Sequence, residues 1–356
     1  MNAGKAARTA AALILGLAGG ALFSWLRIPL PWMLGSLTIA AAVAVAGLDW
    51  SLPEFLRNFA RPVIGVFAGG AFTLGVVLSM AAWWPILLFL AAFFVLVTAL
   101  GQLFFARLCG LDRATAYFAS TPGGLAELSL LGASYGASMR SLVVIHSVRV
   151  IAVVVVTPFL LQLLLPGTAP LGTAFPGGEA GDLSVPGWLL LTGCAVGGYV
   201  LGQALNAPSG VMLIPMALSA LAHILGLAEG GPPGWLVAFV QVVIGTVCGA
   251  RFAGLGWTEL RSTVLQGLAW AAFMLAAAFG MAFVSSGFVA APLPALLLAF
   301  TPGGFAEVTI MAYAAGIEVA FVVACHVFRM FFVLVLAPPG YGLAKRIGGP
   351  PPATGS

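Results

Sequence analysis

The heptapeptide Thr121-Pro-Gly-Gly-Leu-Ala-Glu127 returns as Thr301-Pro-Gly-Gly-Phe-Ala-Glu307 in a chain that is otherwise almost free of charge. The offset of 180 positions (301 − 121) also carries Gly136 onto Gly316, His146 onto His326, Arg149 onto Arg329 and Pro158 onto Pro338. One duplicated unit explains all of these coincidences. Each copy places a polar break inside apolar surroundings, which points to an internally duplicated membrane protein with a buried site.

Composition fixes the solvent. Of 356 residues, 62% are hydrophobic and 7% are charged, and the mean hydropathy is +1.12. Soluble domains carry about 25% charged residues, so this chain belongs in a lipid bilayer. Ten apolar runs approach or exceed the roughly 20 residues that a spanning helix needs. In the first half they are 9–26, 30–48, 62–80, 84–106 and 141–165; in the second, 188–205, 211–227, 235–253, 264–286 and 319–338. The fold class expected is an all-α polytopic membrane protein of two repeats, five spans each. The first run, preceded by Lys5 and Arg8, imitates a secretory signal. Its Ala18-Gly19-Gly20 has an echo in Val196-Gly197-Gly198, however, so it reads as part of the repeat.

Between the fourth and fifth spans of each half lies a shorter segment, 112–138 and 291–318, interrupted by the Thr-Pro-Gly-Gly. It either crosses the membrane or dips in and returns. Lys and Arg near span ends collect on the cytoplasmic side. If the segments re-enter, eleven such residues (Lys5, Arg8, Arg57, Arg61, Arg107, Arg113, Arg140, Arg251, Arg261, Lys345 and Arg346) share one side and Arg27 stands alone. If they cross, the split is eight to four, so charge favours re-entry. Five crossings is an odd number, which inverts the second repeat relative to the first. The chain then divides into a first repeat (1–165), an external linker (166–186) with Glu179 and Asp182, a second repeat (187–344) and a disordered cytoplasmic tail (345–356). Both termini are expected in the cytoplasm.

Thr followed by Pro is a helix-start pattern, an N-cap and an N1 residue, so new half-helices are expected at Pro122 and Pro302. Gly123, Gly124, Gly303 and Gly304 would then expose backbone N–H groups at two helix N-termini, where anions are attracted. Seven residues from Ala114 to Ser120 rise about 10 Å, enough to carry each tip toward midplane, where inverted-repeat transporters build their sites. The plainer reading is that Pro and Gly only kink a helix or permit close packing; exact repetition with a trailing Glu weighs against it.

Ionisable residues at this depth imply a partner or a pathway. The expected arrangement pairs Glu127 with Arg149 and Glu307 with Arg329, or crosswise. His146 and His326 precede the arginines by three and share their helix face. In the functional reading the arginines grip a carboxylate or phosphate, while Glu or His carries a proton. In the structural one, Glu and Arg neutralise each other and lock hairpin to span. His223 has no repeat partner and reads as a packed core residue. Trp83, Trp84, Trp188 and Trp235 lie near span ends as interfacial anchors. The net charge of +4 comes from membrane flanks and not from a basic groove, which argues against nucleic acid as a partner. Cys109, Cys194, Cys248 and Cys325 show neither disulfide nor zinc spacing and read as inert core residues.

The paired TPGG motifs with trailing Glu127 and Glu307, each followed by His-x-x-Arg (His146 to Arg149, His326 to Arg329), resemble the AbrB family of bacterial inner-membrane proteins. The resemblance covers both halves. It implies an internally duplicated inner-membrane protein, labelled in various members as ammonia monooxygenase-like or as a regulator of gene expression. It also implies a distant similarity to cation/proton antiporters and to bile-acid or organic-anion symporters, whose broken helices meet at midplane and usually cross.

Three functions follow. The first is a secondary transporter that moves a small organic anion with a coupling ion, H⁺ or Na⁺, through a site formed by Thr121, Gly123, Gly124, Glu127, His146, Arg149 and their mates Thr301, Gly303, Gly304, Glu307, His326 and Arg329. The second is a membrane-embedded regulator of gene expression, indirect because the tail offers no output module. The third is an oxidoreductase, disfavoured because three His residues, two of them each followed by an Arg, make a poor copper or iron site. No cofactor and no catalysis are expected. Association with further copies of itself stays open.

Overall fold

A computed structural model describes residues 3–47, 54–164, 184–206, 209–228, 230–252 and 257–347. The described residues are helical, without strands. The first half contains α1 (Ala3–Trp25), α2 (Pro31–Val45), α3 (Glu54–Gly70), α4 (Leu74–Ser79), α5 (Trp84–Leu103), α6 (Arg113–Ser120), α7 (Leu125–Ser134) and α8 (Met139–Leu164). The second contains α9 (Val185–Ala204), α10 (Gly210–Ile224), α11 (Gly234–Gly249), α12 (Trp257–Ser286), α13 (Leu293–Phe300), α14 (Phe305–Ala314) and α15 (Val319–Ile347). Six helical stretches among the described residues are long and apolar enough to cross a bilayer, and α2, α10, α11 and α14 are shorter apolar helices.

All ten apolar runs fold as helices, with three corrections of extent. The third does not begin at Pro62: α3 starts at Glu54 and keeps Pro62 in its interior, which draws Arg61 into the body of the helix. It stops at Gly70, because Thr73 caps a new helix by accepting a hydrogen bond from the Val76 N–H. Residues 74–79 accordingly join the fourth span, giving a continuous apolar stretch over 74–108. Finally, α15 continues past Pro338 and Pro339 to Ile347, so Lys345 to Ile347 belong to a helix and not to a disordered tail. Residues 348–356 and most of the linker, with Glu179 and Asp182, lie outside the described residues.

Glycines set the direction in which neighbouring helices run. Gly65 lies on the Met212 carbonyl and Gly69 on that of Met216, so α3 and α10 are parallel. The repeat-related Gly245 and Gly249 lie on the carbonyls of Met33 and Leu37, which makes α11 parallel to α2. Gly198 meets Pro215 and Gly202 meets Gly210, so α9 and α10 are antiparallel. Consecutive crossings alternate. The path from α3 to α10 must therefore contain an even number of them, and α5, α8, α9 and α10 supply four. None is left for α6 and α7, which enter and return. Because α10 is the repeat counterpart of α2 yet runs parallel to α3, the second half is inverted relative to the first.

Local contacts agree with this count. The Ser138 N–H donates to Thr115 Oγ1 at 2.8 Å, tying the end of the first hairpin to its beginning. Phe118 of α6 packs on Gly132 and on the ring of Tyr135, at 5.6 Å between centroids. In the second half α13 and α14 pack on each other and on α15 as α6 and α7 do on α8. The tips exchange neighbours: Gly123 lies against Val333 of α15, and Gly303 against the repeat-related Val153 of α8. One large apolar core, which includes Phe93, Phe105, Phe118 and Phe300, surrounds them.

Candidate functional site

Each tip is an irregular stretch of backbone between two half-helices. The expectation that Thr and Pro start the second half-helix is overturned. Thr121 and Thr301 end the incoming helices: their Oγ1 atoms donate to the carbonyls of Tyr117 (2.8 Å) and Leu297 (2.6 Å). A residue before proline is pushed into extended conformation, as Thr121 (φ −73°, ψ 126°) and Thr301 (φ −59°, ψ 125°) show. Proline thus stops one helix and does not begin the next. Gly124 and Gly304 are the N-caps, and α7 and α14 begin at Leu125 and Phe305. The first intrahelical bonds run from the N–H groups of Leu128 and Val308 to the carbonyls of Gly124 and Gly304. The preceding first-turn amides of each helix have no intrahelical acceptor.

Glu127 and Glu307 occupy the third helical positions and fold back over these caps. A Cβ at Gly124 would overlap Glu127 Oε2, and one at Gly304 would overlap Glu307 Oε2. Glycine is required there so that each carboxylate can lie over the start of its own helix.

The expected Glu127–Arg149 and Glu307–Arg329 pairs do not form. Arg149 Nη1 and Nη2 donate to the carbonyls of Thr121 (3.2 Å) and Gly123 (2.7 Å). Arg329 does the same with Thr301 (2.9 Å) and Gly303 (2.7 Å). Both arginines are buried, at 1% and 4% exposure. The break leaves carbonyls with no helical donor, and a planar fork of donors from the neighbouring long helix satisfies two at once. These guanidinium forks are engaged with backbone, which corrects the expectation that they grip the ligand in fork geometry.

The carboxylates find other partners, different in the two halves. Glu127 Oε1 accepts from Ser209 Oγ at 2.9 Å. Glu307 Oε1 lies 3.5 Å from Arg251 Nη2 and 3.5 Å from Cys248 Sγ. All of these groups except Cys248 line a cavity of about 760 Å³ between the tips. Gly123, Gly124, Glu127, Gly304, Glu307, His326 and Arg329 border it; Thr121, Thr301, Gly303, His146 and Arg149 lie behind it. His326 Nε2 is 2.8 Å from the Leu298 carbonyl and must carry the proton of that bond. His146 is fully buried beside the Phe118 backbone, the repeat equivalent of Leu298.

Sequence reasoning missed Arg61, Ser209 and Arg251, which also border the cavity. In the sequence Arg61 and Arg251 read as membrane-flank charges. Repeat symmetry hides them, because their positions carry Gln241 and Ala71 in the other half. The signal that would have found them is that very mismatch, a charge without a mate in a duplicated apolar chain. Cys248, expected to be inert, has its thiol on the Glu307 carboxylate. His223 is not a fully packed core residue: it is half-buried, bonds the Ser219 carbonyl through Nδ1 at 2.8 Å, and borders a second cavity of about 710 Å³ whose wall is mainly apolar.

Four guanidinium groups (Arg61, Arg149, Arg251, Arg329) and two carboxylates (Glu127, Glu307) therefore surround the tips, four minus two giving a formal charge of +2. Two helix N-termini add positive ends of dipoles. The cavity is suited to an anion.

Residues 32–345 match the model of the family described as "Transition state regulatory protein AbrB". The chain is similar to "Putative regulator AbrB" of Escherichia coli K12, with 26% identity over 320 residues, 89% of this chain and 90% of the relative. It is also similar to "Uncharacterized protein YhjN" of Bacillus subtilis 168, with 24% identity over 357 residues, 95% of this chain and 93% of the relative.

Proposed function

The chain belongs to the AbrB family, and from the cavity between its paired tips we propose that it is a secondary active transporter of a small organic anion, coupled to H⁺ or Na⁺. The supporting observation is that two helix N-termini, one from each inverted half, open on a single cavity whose ionisable groups sum to a positive charge. The anion is held by first-turn amides of α7 and α14 and by Arg61 and Arg251, while Arg149 and Arg329 keep the tips in shape. Irregular backbone deep in a membrane persists where protein or a wet cavity satisfies it, and inverted halves rocking about such a site give alternating access. On this reading the substrate leaves unchanged, no cofactor is needed, and the protein works in the bacterial inner membrane with both termini cytoplasmic.

The relative named as a regulator suggests a second reading, control of gene expression. It is compatible with the first if the transported anion is the signal.

The test is uptake of radiolabelled acetate, lactate, succinate and citrate into liposomes containing the purified protein. Saturable uptake of at least one, reduced tenfold or more in Arg61→Gln and Arg251→Gln, is the expected result. Uptake equal to that of empty liposomes for all four, with no thermal stabilisation by any of them, would overturn the proposal.

A further inference from the structure

The two carboxylates at the tips occupy equivalent places in the repeat but not in chemistry. Resting on the transporter reading for its role, we infer that Glu127 is the group that takes up and releases the coupling proton, and that Glu307 stays ionised as the partner of Arg251.

The argument turns on what each partner can do. Arg251 only donates hydrogen bonds and keeps its charge, so the Glu307 pair is charge-balanced in one protonation state. Protonating Glu307 would leave the guanidinium, whose Nη1 is already buried without a partner, without its counter-charge in a partly buried place. A hydroxyl both donates and accepts. Ser209 Oγ donates to the Glu127 carboxylate now, and by rotation it accepts from the same group once that group carries a proton. Both states of Glu127 keep a hydrogen bond, and protonating it strands no guanidinium.

The backbone that places Ser209 is a feature of the repeat, and only the hydroxyl is particular to this half. Ser209 stands before α10 with φ 51° and ψ 20°, a left-handed conformation unusual for a residue with a side chain. Its counterpart before α2 is Leu30, also left-handed with φ 49°, buried and apolar. The first half therefore offers Glu307 no matching hydroxyl. Conversely, Arg251 and Cys248 correspond to Ala71 and Ala68, so at these places a cation and a thiol stand beside Glu307 and have no counterpart beside Glu127. The other charged and titratable groups around Glu127 are Arg61 of α3, Arg251 after α11, Glu307 of α14, and His326 and Arg329 of α15, all on the cavity wall, with Arg149 of α8 behind the tip. Ser209 is the side chain that meets the carboxylate.

Infrared difference spectra of the full-length protein in lipid, recorded between low and high pH, read the carbonyl stretch of a protonated carboxyl directly and need no substrate. A titrating band is expected that is lost in Glu127→Gln, kept in Glu307→Gln, shifted in Ser209→Ala and restored in Ser209→Thr. No titrating band in the wild-type minus Glu127→Gln double difference, an equal band in the wild-type minus Glu307→Gln double difference, or a Glu127 band that ignores Ser209→Ala would each overturn the assignment. If Glu127→Gln fails to fold, the Ser209 pair decides alone. Flux of the four carboxylates is measured in parallel, so a band assigned to Glu127 without flux defeats the transporter reading and leaves the proton site standing.

Discussion

Arg149 and Arg329 each donate to two carbonyls that the broken helix leaves without partners. Truncating either to alanine removes the donor from both acceptors, and a buried unsatisfied group costs about 1–3 kcal/mol, less where cavity water can reach it. Arg149→Ala and Arg329→Ala are therefore expected to destabilise the fold by about 2–4 kcal/mol, the lower part of the two-acceptor range because cavity water reaches one side, in reversible unfolding from mixed micelles. Lysine should recover less than half, because an ammonium lacks the planar fork that spans two carbonyls. Wild-type stability with lost anion binding would instead return these arginines to the ligand. At this scale the repeated motif residues gather around one cavity, while the expected Glu–Arg pairs are replaced by contacts of each arginine with tip carbonyls. His-x-x-Arg and the trailing Glu are visible as repeated identities, and all lie at or just behind the cavity. Whether a guanidinium meets a carboxylate or a carbonyl depends on side-chain direction across 26 to 28 residues, to which spacing along one helix is blind.

Helices meet closely here because glycines allow it. Gly69 of α3 and Gly249 of α11 lie directly on carbonyls of α10 and α2, so a Cβ at either would collide with backbone and not with a side chain that can move. In a bilayer such small-residue contacts carry much of the packing energy between helices. Gly69→Val and Gly249→Val are expected to cost about 2–3 kcal/mol and to lower the yield of folded protein, measured by gel filtration in detergent. Gly193→Val on α9, where nothing lies within reach of a Cβ, is the control that should leave the yield unchanged. Apolar run length revealed all ten long elements and charge placement revealed re-entry. Their limits were less legible: Pro62 and Pro338 look like helix ends but lie inside α3 and α15. Packing against neighbours can hold a proline inside a helix, and that packing is made by residues far away in the chain.

The halves are inverted and interlocked. The pairs α3 with α10 and α2 with α11 both cross the boundary between repeats, and each tip rests on a long helix of the other half. Neither half can therefore bury its own glycine faces or enclose its own tip. A chain cut within residues 165–183 should behave accordingly. Expressed alone, residues 1–174 and 175–356 should each be degraded or aggregate, since both would expose a broken helix to lipid with its carbonyls and amides unshielded from hydrocarbon. Co-expressed, they should assemble, because the contacts that align α3 with α10 do not depend on a covalent link between α8 and α9. The measurement is co-purification of an untagged second half on a tagged first half. The same experiment with Gly65→Val and Gly69→Val in the first half should abolish capture, which ties assembly to the cross-repeat contact and not to general stickiness of membrane helices. If either half alone proved monodisperse and folded, the cavity would not be a shared structure, and the placement of one carboxylate from each repeat around a single anion would lose its physical basis.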